Sequence, residues 1–156
     1  MKKDYTYNLQ RGLFIPSSIS EVWNFFSSPY NLAKITPAYM DFKITECPDS
    51  PVIFEGMLIK YRVKPVMHIP ITWITKIGKV SPPHCFIDTQ ITGPYAQWEH
   101  LHTFKEQDGG VLMTDHVKYR LPLGVLGTIA NALLVERDLK YIFDYREKTV
   151  KKIFNA

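Results

Sequence analysis

Two stretches of the chain, "QWEHLHTF" at 97–104 and "LMTDHVKY" at 112–119, alternate polar and apolar residues on either side of "KEQDGGV". Alternation with period two predicts two half-buried β-strands. Asp108-Gly109 between them is a hairpin signal, because a two-residue turn needs positive φ at its central positions. That turn pairs Gln107 with Gly110. Phe104 then faces Met113, His102 faces Asp115, His100 faces Val117 and Trp98 faces Tyr119, all on one face. The other face sets Glu99 against Lys118, Leu101 against His116, Thr103 against Thr114 and Lys105 against Leu112. It is the more polar face and is expected to meet solvent, so the first face looks inward.

The rest of the chain reads as elements around this hairpin. "YTYNLQRGLF" predicts a first strand. Ser18 or Ser20 caps a short helix with Glu21 in its first turn, and Val22, Phe25 and Phe26 form its apolar side. Pro29 ends it, and a second short helix from about Pro29 to Ile35 is closed by Pro37. Four more strands precede the hairpin: "MDFKITEC", "VIFEGMLIKYRVK", "IPITWITKIGKV" and "HCFIDTQIT". Short connections between them imply an antiparallel meander. From Gly124 to Phe154 there is no proline, and the period becomes 3.6. Val125, Ile129, Ala132, Val135, Leu139, Ile142, Val150 and Ile153 trace one helical stripe, with Arg146 as its main polar interruption. A helix of about 30 residues spans about 45 Å and cannot bury that stripe alone. It is expected to lie across the concave face of the sheet.

Length and charge narrow the picture. A chain of 156 residues suits one domain, expected over 1–156. The net charge of +4 comes from scattered Lys and Arg, so no nucleic-acid partner is expected. The two cysteines, Cys47 and Cys85, form no paired motif, which favours a reduced, cytoplasmic setting. "MKKDYTYNLQRG" has no apolar run behind its lysines, and no window of about 18 apolar residues exists, so neither a signal peptide nor stable membrane insertion is expected.

The inward face of the hairpin carries the candidate chemistry. A buried Asp115 needs a donor, and the His102 imidazole opposite supplies one. Polar groups beside Trp98, Met113 and Tyr119 suit the wall of a small-molecule pocket better than a solid core. A metal reading takes His100 and His102 as ligands with His84 or Asp115 as the third. His84 stands at a strand start away from the pair and no cysteine pairing supports the site, so no metal and no cofactor is expected. An acid–base reading has His102 as the proton carrier and Asp115 as the group that sets its tautomer. In "HCFIDTQIT", hydrophobicity turns Cys85, Ile87 and Ile91 inward and Asp88 and Gln90 outward.

Taken in order, a strand, two short helices, an antiparallel meander and a long final helix resemble the START-like, helix-grip superfamily. This group is also called SRPBCC, and it includes polyketide cyclase/dehydrase-like proteins and the birch pollen allergen. "FIDTQITGPYAQWEHLHTF" and "TDHVKYRLPLGVLG" are similar to a bacterial subgroup of it with no assigned activity. The resemblance implies an α+β fold, a curved six- to seven-stranded antiparallel sheet wrapped around the long C-terminal helix, with an apolar cavity between them. It also implies that Asp88 and Gln90 face that cavity, against the hydrophobicity reading. The subgroup's recurring positions fall on Asp88, Gln90, Gly93, Pro94, Trp98, His100, His102, Phe104, Asp115, Tyr119 and Pro122. The expected function is binding of a small hydrophobic or amphipathic ligand, such as a lipid, isoprenoid or polyketide. Trp98, His100, His102, Phe104, Met113, Asp115, Tyr119, Asp88 and Gln90 are its expected contacts. The alternative is a cyclase/dehydratase using His102 and Asp115.

Overall fold

A computed structural model describes residues 5–65, 68–122, 126, 129 and 131–156. Seven strands form one antiparallel sheet: β1 Tyr7–Ile15, β2 Lys43–Glu46, β3 Leu58–Val63, β4 Ile71–Ser81, β5 Cys85–Thr92, β6 Gln97–Gln107 and β7 Gly110–Arg120. Their spatial order is β1-β7-β6-β5-β4-β3-β2. The sheet therefore follows chain order except that β1 closes onto β7, with Tyr7 opposite Tyr119 and Ile15 opposite Val111. The long helix, α2 (Glu136–Ile153), lies on the concave side. This is the helix-grip arrangement expected from the order of elements.

Between β1 and β2 runs α1, Ile19–Phe26, started by a reciprocal cap in which Ser18 and Glu21 satisfy each other's backbone N–H groups. Ser18, not Ser20, is the cap. A 3-10 turn over Pro29–Ile35 follows, and Pro37 leads into one more, Ala38–Met40, instead of closing the segment. The run "VIFEGMLIKYRVK" yields only the strand Leu58–Val63. Gly56 takes φ +85°, a conformation that turns the chain, and Ile53 and Met57 are buried in the core before the strand begins.

α2 is shorter than the stripe implied. Its 18 residues are preceded by a π-helical turn over Asn131–Val135, while Gly124 and Val125 lie outside the described residues. The helix buries Leu139, Phe143, Arg146 and Val150. Ile129 and Ile153, assigned to the stripe by sequence, are exposed, and Phe143 takes the inward place. No helix among the described residues is long and apolar enough to cross a membrane. Both cysteines are free thiols.

Two apolar clusters fill the space between sheet and helices. One gathers Ile15, Trp23, Phe26, Phe86, Phe104, Met113 and Val150 under α1. The other gathers Trp73, Trp98, Val117, Tyr119, Leu139 and Phe143 toward the start of α2. Each fully buried side chain of this size contributes about 1.5–3 kcal/mol.

Candidate functional site

The β6–β7 register is the one the turn dictates: Phe104 opposite Met113, His102 opposite Asp115, His100 opposite Val117 and Trp98 opposite Tyr119. Of the two turn residues only Gly109 has positive φ, at +81°, so the turn is not the doubly positive type expected. All eight inward side chains are buried, and Glu99, Lys105 and Lys118 on the outer face are exposed.

The two histidines do not divide their work as opposition across the strands implied. His100 Nε2 donates to Asp115 Oδ1 at 2.8 Å, and His102 Nδ1 lies 2.9 Å from the same oxygen. On their other side sits Asp88 Oδ2, 2.8 Å from His102 Nε2 and 3.7 Å from His100 Nδ1. Arg146 of α2 donates through Nη2 to Asp115 Oδ1 at 3.2 Å. The dyad is thus a group of five. Asp88, His100, His102, Asp115 and Arg146 come from β5, β6, β7 and α2. His100, opposite Val117 across the strands, finds its partners in Asp115 and Asp88.

The protonation pattern follows from the acceptors. A carboxylate only accepts, so both ring nitrogens of His102 carry protons; without one, Nδ1 would set a lone pair against Asp115 Oδ1. Burial pushes the His102 pKa down, but hydrogen bonds to Asp115 and Asp88 outweigh it and hold the pKa above its ordinary value. Burial and the neighbouring His102 push His100 below its ordinary value, and it stays neutral. Burial opposes ionisation of Asp115, yet Arg146 and the two histidines hold its carboxyl well below the usual range. Asp88 is likewise lowered against the effect of burial, chiefly by His102. Two carboxylates face one imidazolium and one guanidinium, and the buried charges balance. Phe86 stacks on the His102 ring at 4.2 Å, and Arg146 lies over Phe26 and Phe143.

With both ring nitrogens engaged, His102 has no free lone pair for a substrate proton.

A cavity of about 190 Å³ lies between sheet and helix. Asp88, Trp98, His100 and His102 line it. Phe104, Met113, Asp115 and Tyr119, also expected as ligand contacts, are buried but stand outside its lining. Asp115 sits behind the two histidine rings. Gln90 is also off the wall: its side chain binds the backbone of Tyr95 at both N and O, closing the β5–β6 connection. A Cβ on Gly93 would meet that side chain and displace it from the Tyr95 backbone.

Asp88 faces inward because it pairs with His100 and Phe86 pairs with His102. Ile91, placed inward by hydrophobicity, is 56% exposed. His84 is exposed at the start of β5, so it is no third partner of the histidine pair. Sequence reasoning missed further lining residues. Tyr61 and Thr75 share a hydrogen bond of 3.0 Å on adjacent strands, and Trp73, Tyr95, Phe143 and Arg146 are also part of the wall. Burial drives the Tyr61 hydroxyl far above its ordinary pKa, so it stays protonated. Trp73 Nε1 is buried with no hydrogen-bond partner among the described residues. Arg146 was visible as the lone cation on an apolar stripe.

No protein-family model and no curated protein matches the chain. Its fold is shared with solved structures. A protein of unknown function from Staphylococcus aureus, SA2116, is similar with a TM-score of 0.70 at 11% identity, over 99% of each chain. The di-domain ARO/CYC StfQ of the steffimycin biosynthetic pathway gives 0.67 at 7% identity, over 99% of this chain and 54% of that one. Ara h 8.0201 gives 0.59 at 13% identity, over 95% and 99%. At these identities the likeness is one of fold. It places the chain among helix-grip folds.

Proposed function

We propose that the protein binds a small amphipathic molecule, such as a lipid, isoprenoid or polyketide, in the cavity between sheet and helix, and that it belongs to the bacterial subgroup its β5–β7 segments resemble. The observation that carries this reading is the cavity's polarity. Its walls are mostly apolar and aromatic, while Asp88, His100 and His102 form one polar patch on them. Mostly apolar pockets with a few placed polar groups suit small ligands. An unpartnered donor on such a wall costs about 1–3 kcal/mol, and a ligand oxygen reaching Trp73 Nε1 removes that cost.

Trp73, Trp98, Phe143 and Tyr95 supply apolar contact in this reading. The Tyr61–Thr75 hydroxyl pair and Asp88 orient the ligand's polar group. Native mass spectrometry of protein purified from its own host tests it. A retained mass that solvent extraction identifies as an amphipathic molecule is the expected result. Protein that emerges empty, and whose tryptophan fluorescence no fatty-acid or isoprenoid probe changes, overturns it.

A further inference from the structure

His100 and His102 lie side by side on β6, ring centroids 3.7 Å apart and planes inclined by 32°. Each turns one nitrogen to Asp115 Oδ1, at 2.8 and 2.9 Å. The remaining nitrogens, His100 Nδ1 and His102 Nε2, approach one atom, Asp88 Oδ2, at 3.7 and 2.8 Å. One ligating atom from each of these three residues lies within 4.8 Å of the others. Two neutral imidazoles and a carboxylate are a donor set for zinc(II) with open positions left over. Ligands about 2.1 Å from a tetrahedral zinc stand about 3.4 Å apart, between the two spacings found here.

The surroundings match what a metal centre requires of its outer partners. Histidine ligands give their second ring N–H to a carboxylate, which fixes the tautomer and raises basicity. Asp115 stands at that place for both rings, and Arg146 neutralises it. All three donor residues line the cavity, so the open coordination positions face space that a ligand or water can fill.

We propose that Asp88, His100 and His102 bind a divalent transition-metal ion of the zinc(II) type, with Asp115 and Arg146 as positioning residues. The ion takes the place of the proton held between His102 and Asp88. The third ligand is Asp88, which the sequence reading of the pair did not consider. The site shares Asp88, His100 and His102 with the amphipathic-ligand reading but does not depend on it: an empty cavity can hold the metal, and a metal-free chain can hold a lipid.

Isothermal titration of the chelator-treated full chain with zinc(II) tests the proposal, with visible absorption of cobalt(II) as a second readout. One zinc per chain, micromolar or tighter, is expected, together with cobalt bands of a four- or five-coordinate site and a raised melting temperature. Asp115→Asn is expected to weaken binding about 10–100-fold. Asp88→Asn, which keeps the side-chain shape, is expected to abolish the cobalt bands and the zinc-induced rise in melting temperature. His84→Ala is expected to change nothing. Absence of zinc binding by the folded wild-type chain overturns the site. So does binding that persists unchanged in folded Asp88→Asn and His102→Gln. If His102→Gln fails to fold by circular dichroism, Asp88→Asn alone decides.

Discussion

The β6–β7 hairpin and the β4–β5 pair are built on opposite plans. β6 and β7 run in unbroken register from Gln97–Arg120 to Gln107–Gly110. β4 and β5 lose register twice, once between Ile74 and Thr75, where Ile91 is the extra residue, and once between Ile77 and Val80. The regular hairpin supplies the deeply buried part of the polar cluster, His100, His102 and Asp115. The irregular pair supplies Asp88, whose side chain retains 20% exposure against 9% for Asp115. A continuous ladder holds charges in fixed opposition, whereas a bulged one re-aims a side chain toward open space. The cluster thus has a fixed inner half and an accessible outer half.

Removing a charge from the inner half is the harshest test of that division. Arg146→Ala, or Asp115→Ala, leaves buried charges unpaired and is expected to cost about 3–5 kcal/mol by urea unfolding. A loss below about 1 kcal/mol would mean that the inner half is solvated after all. Asp88→Asn strikes the outer half and is expected to cost less, about 1–3 kcal/mol. Equal losses at the two positions would erase the distinction.

Acidity probes the two halves together. In metal-free protein the raised His102 pKa contributes stability that is complete below about pH 6.5, the free-histidine value, and is lost as pH rises through the folded value. The lowered carboxyls of Asp88 and Asp115 contribute stability present above about pH 3.8 and lost as pH falls through their folded values. His102→Gln is expected to flatten the alkaline limb of a melting-temperature profile. An unchanged limb would mean His102 is neutral in the fold. The smallest effect belongs to the outer face of the same hairpin. Lys118→Ala, opposite exposed Glu99, is expected to change stability by less than about 1 kcal/mol.

What the sequence disclosed follows the same division. Asp108-Gly109 sets the β6–β7 register, and from it every inward residue of the hairpin follows without further information. Nothing comparable governs β5. Its apolar residues Ile87 and Ile91 lie on the outer face, Ile87 opposite Leu101, because Asp88 pairs with His100 and takes the inner side, where two histidines need an anion. The resemblance to the helix-grip subgroup turned Asp88 and Gln90 inward; Asp88 lines the cavity, while the Gln90 side chain, on the same strand face opposite Thr75, is taken up by the Tyr95 backbone. Arg146 could be picked out as an anomaly on the stripe. Its partner could not, because the rotation of a helix over a sheet is a tertiary quantity that periodicity does not hold. Two cluster residues that face each other across strands also proved to share partners sideways, a geometry set by side-chain rotamers instead of backbone pairing.

Arg146 has a mechanical meaning as well. It ties α2 to β7, and Asp144, two residues earlier, ties the same helix to Arg11 of β1 at 2.9 Å. Residues two apart lie on different flanks of a helix, so the pair acts as two pins through one rod. Sliding α2 by a turn moves each pin about 5.4 Å, beyond the reach of either bond, and rolling it breaks at least one. The helix is therefore the fixed jaw of this grip.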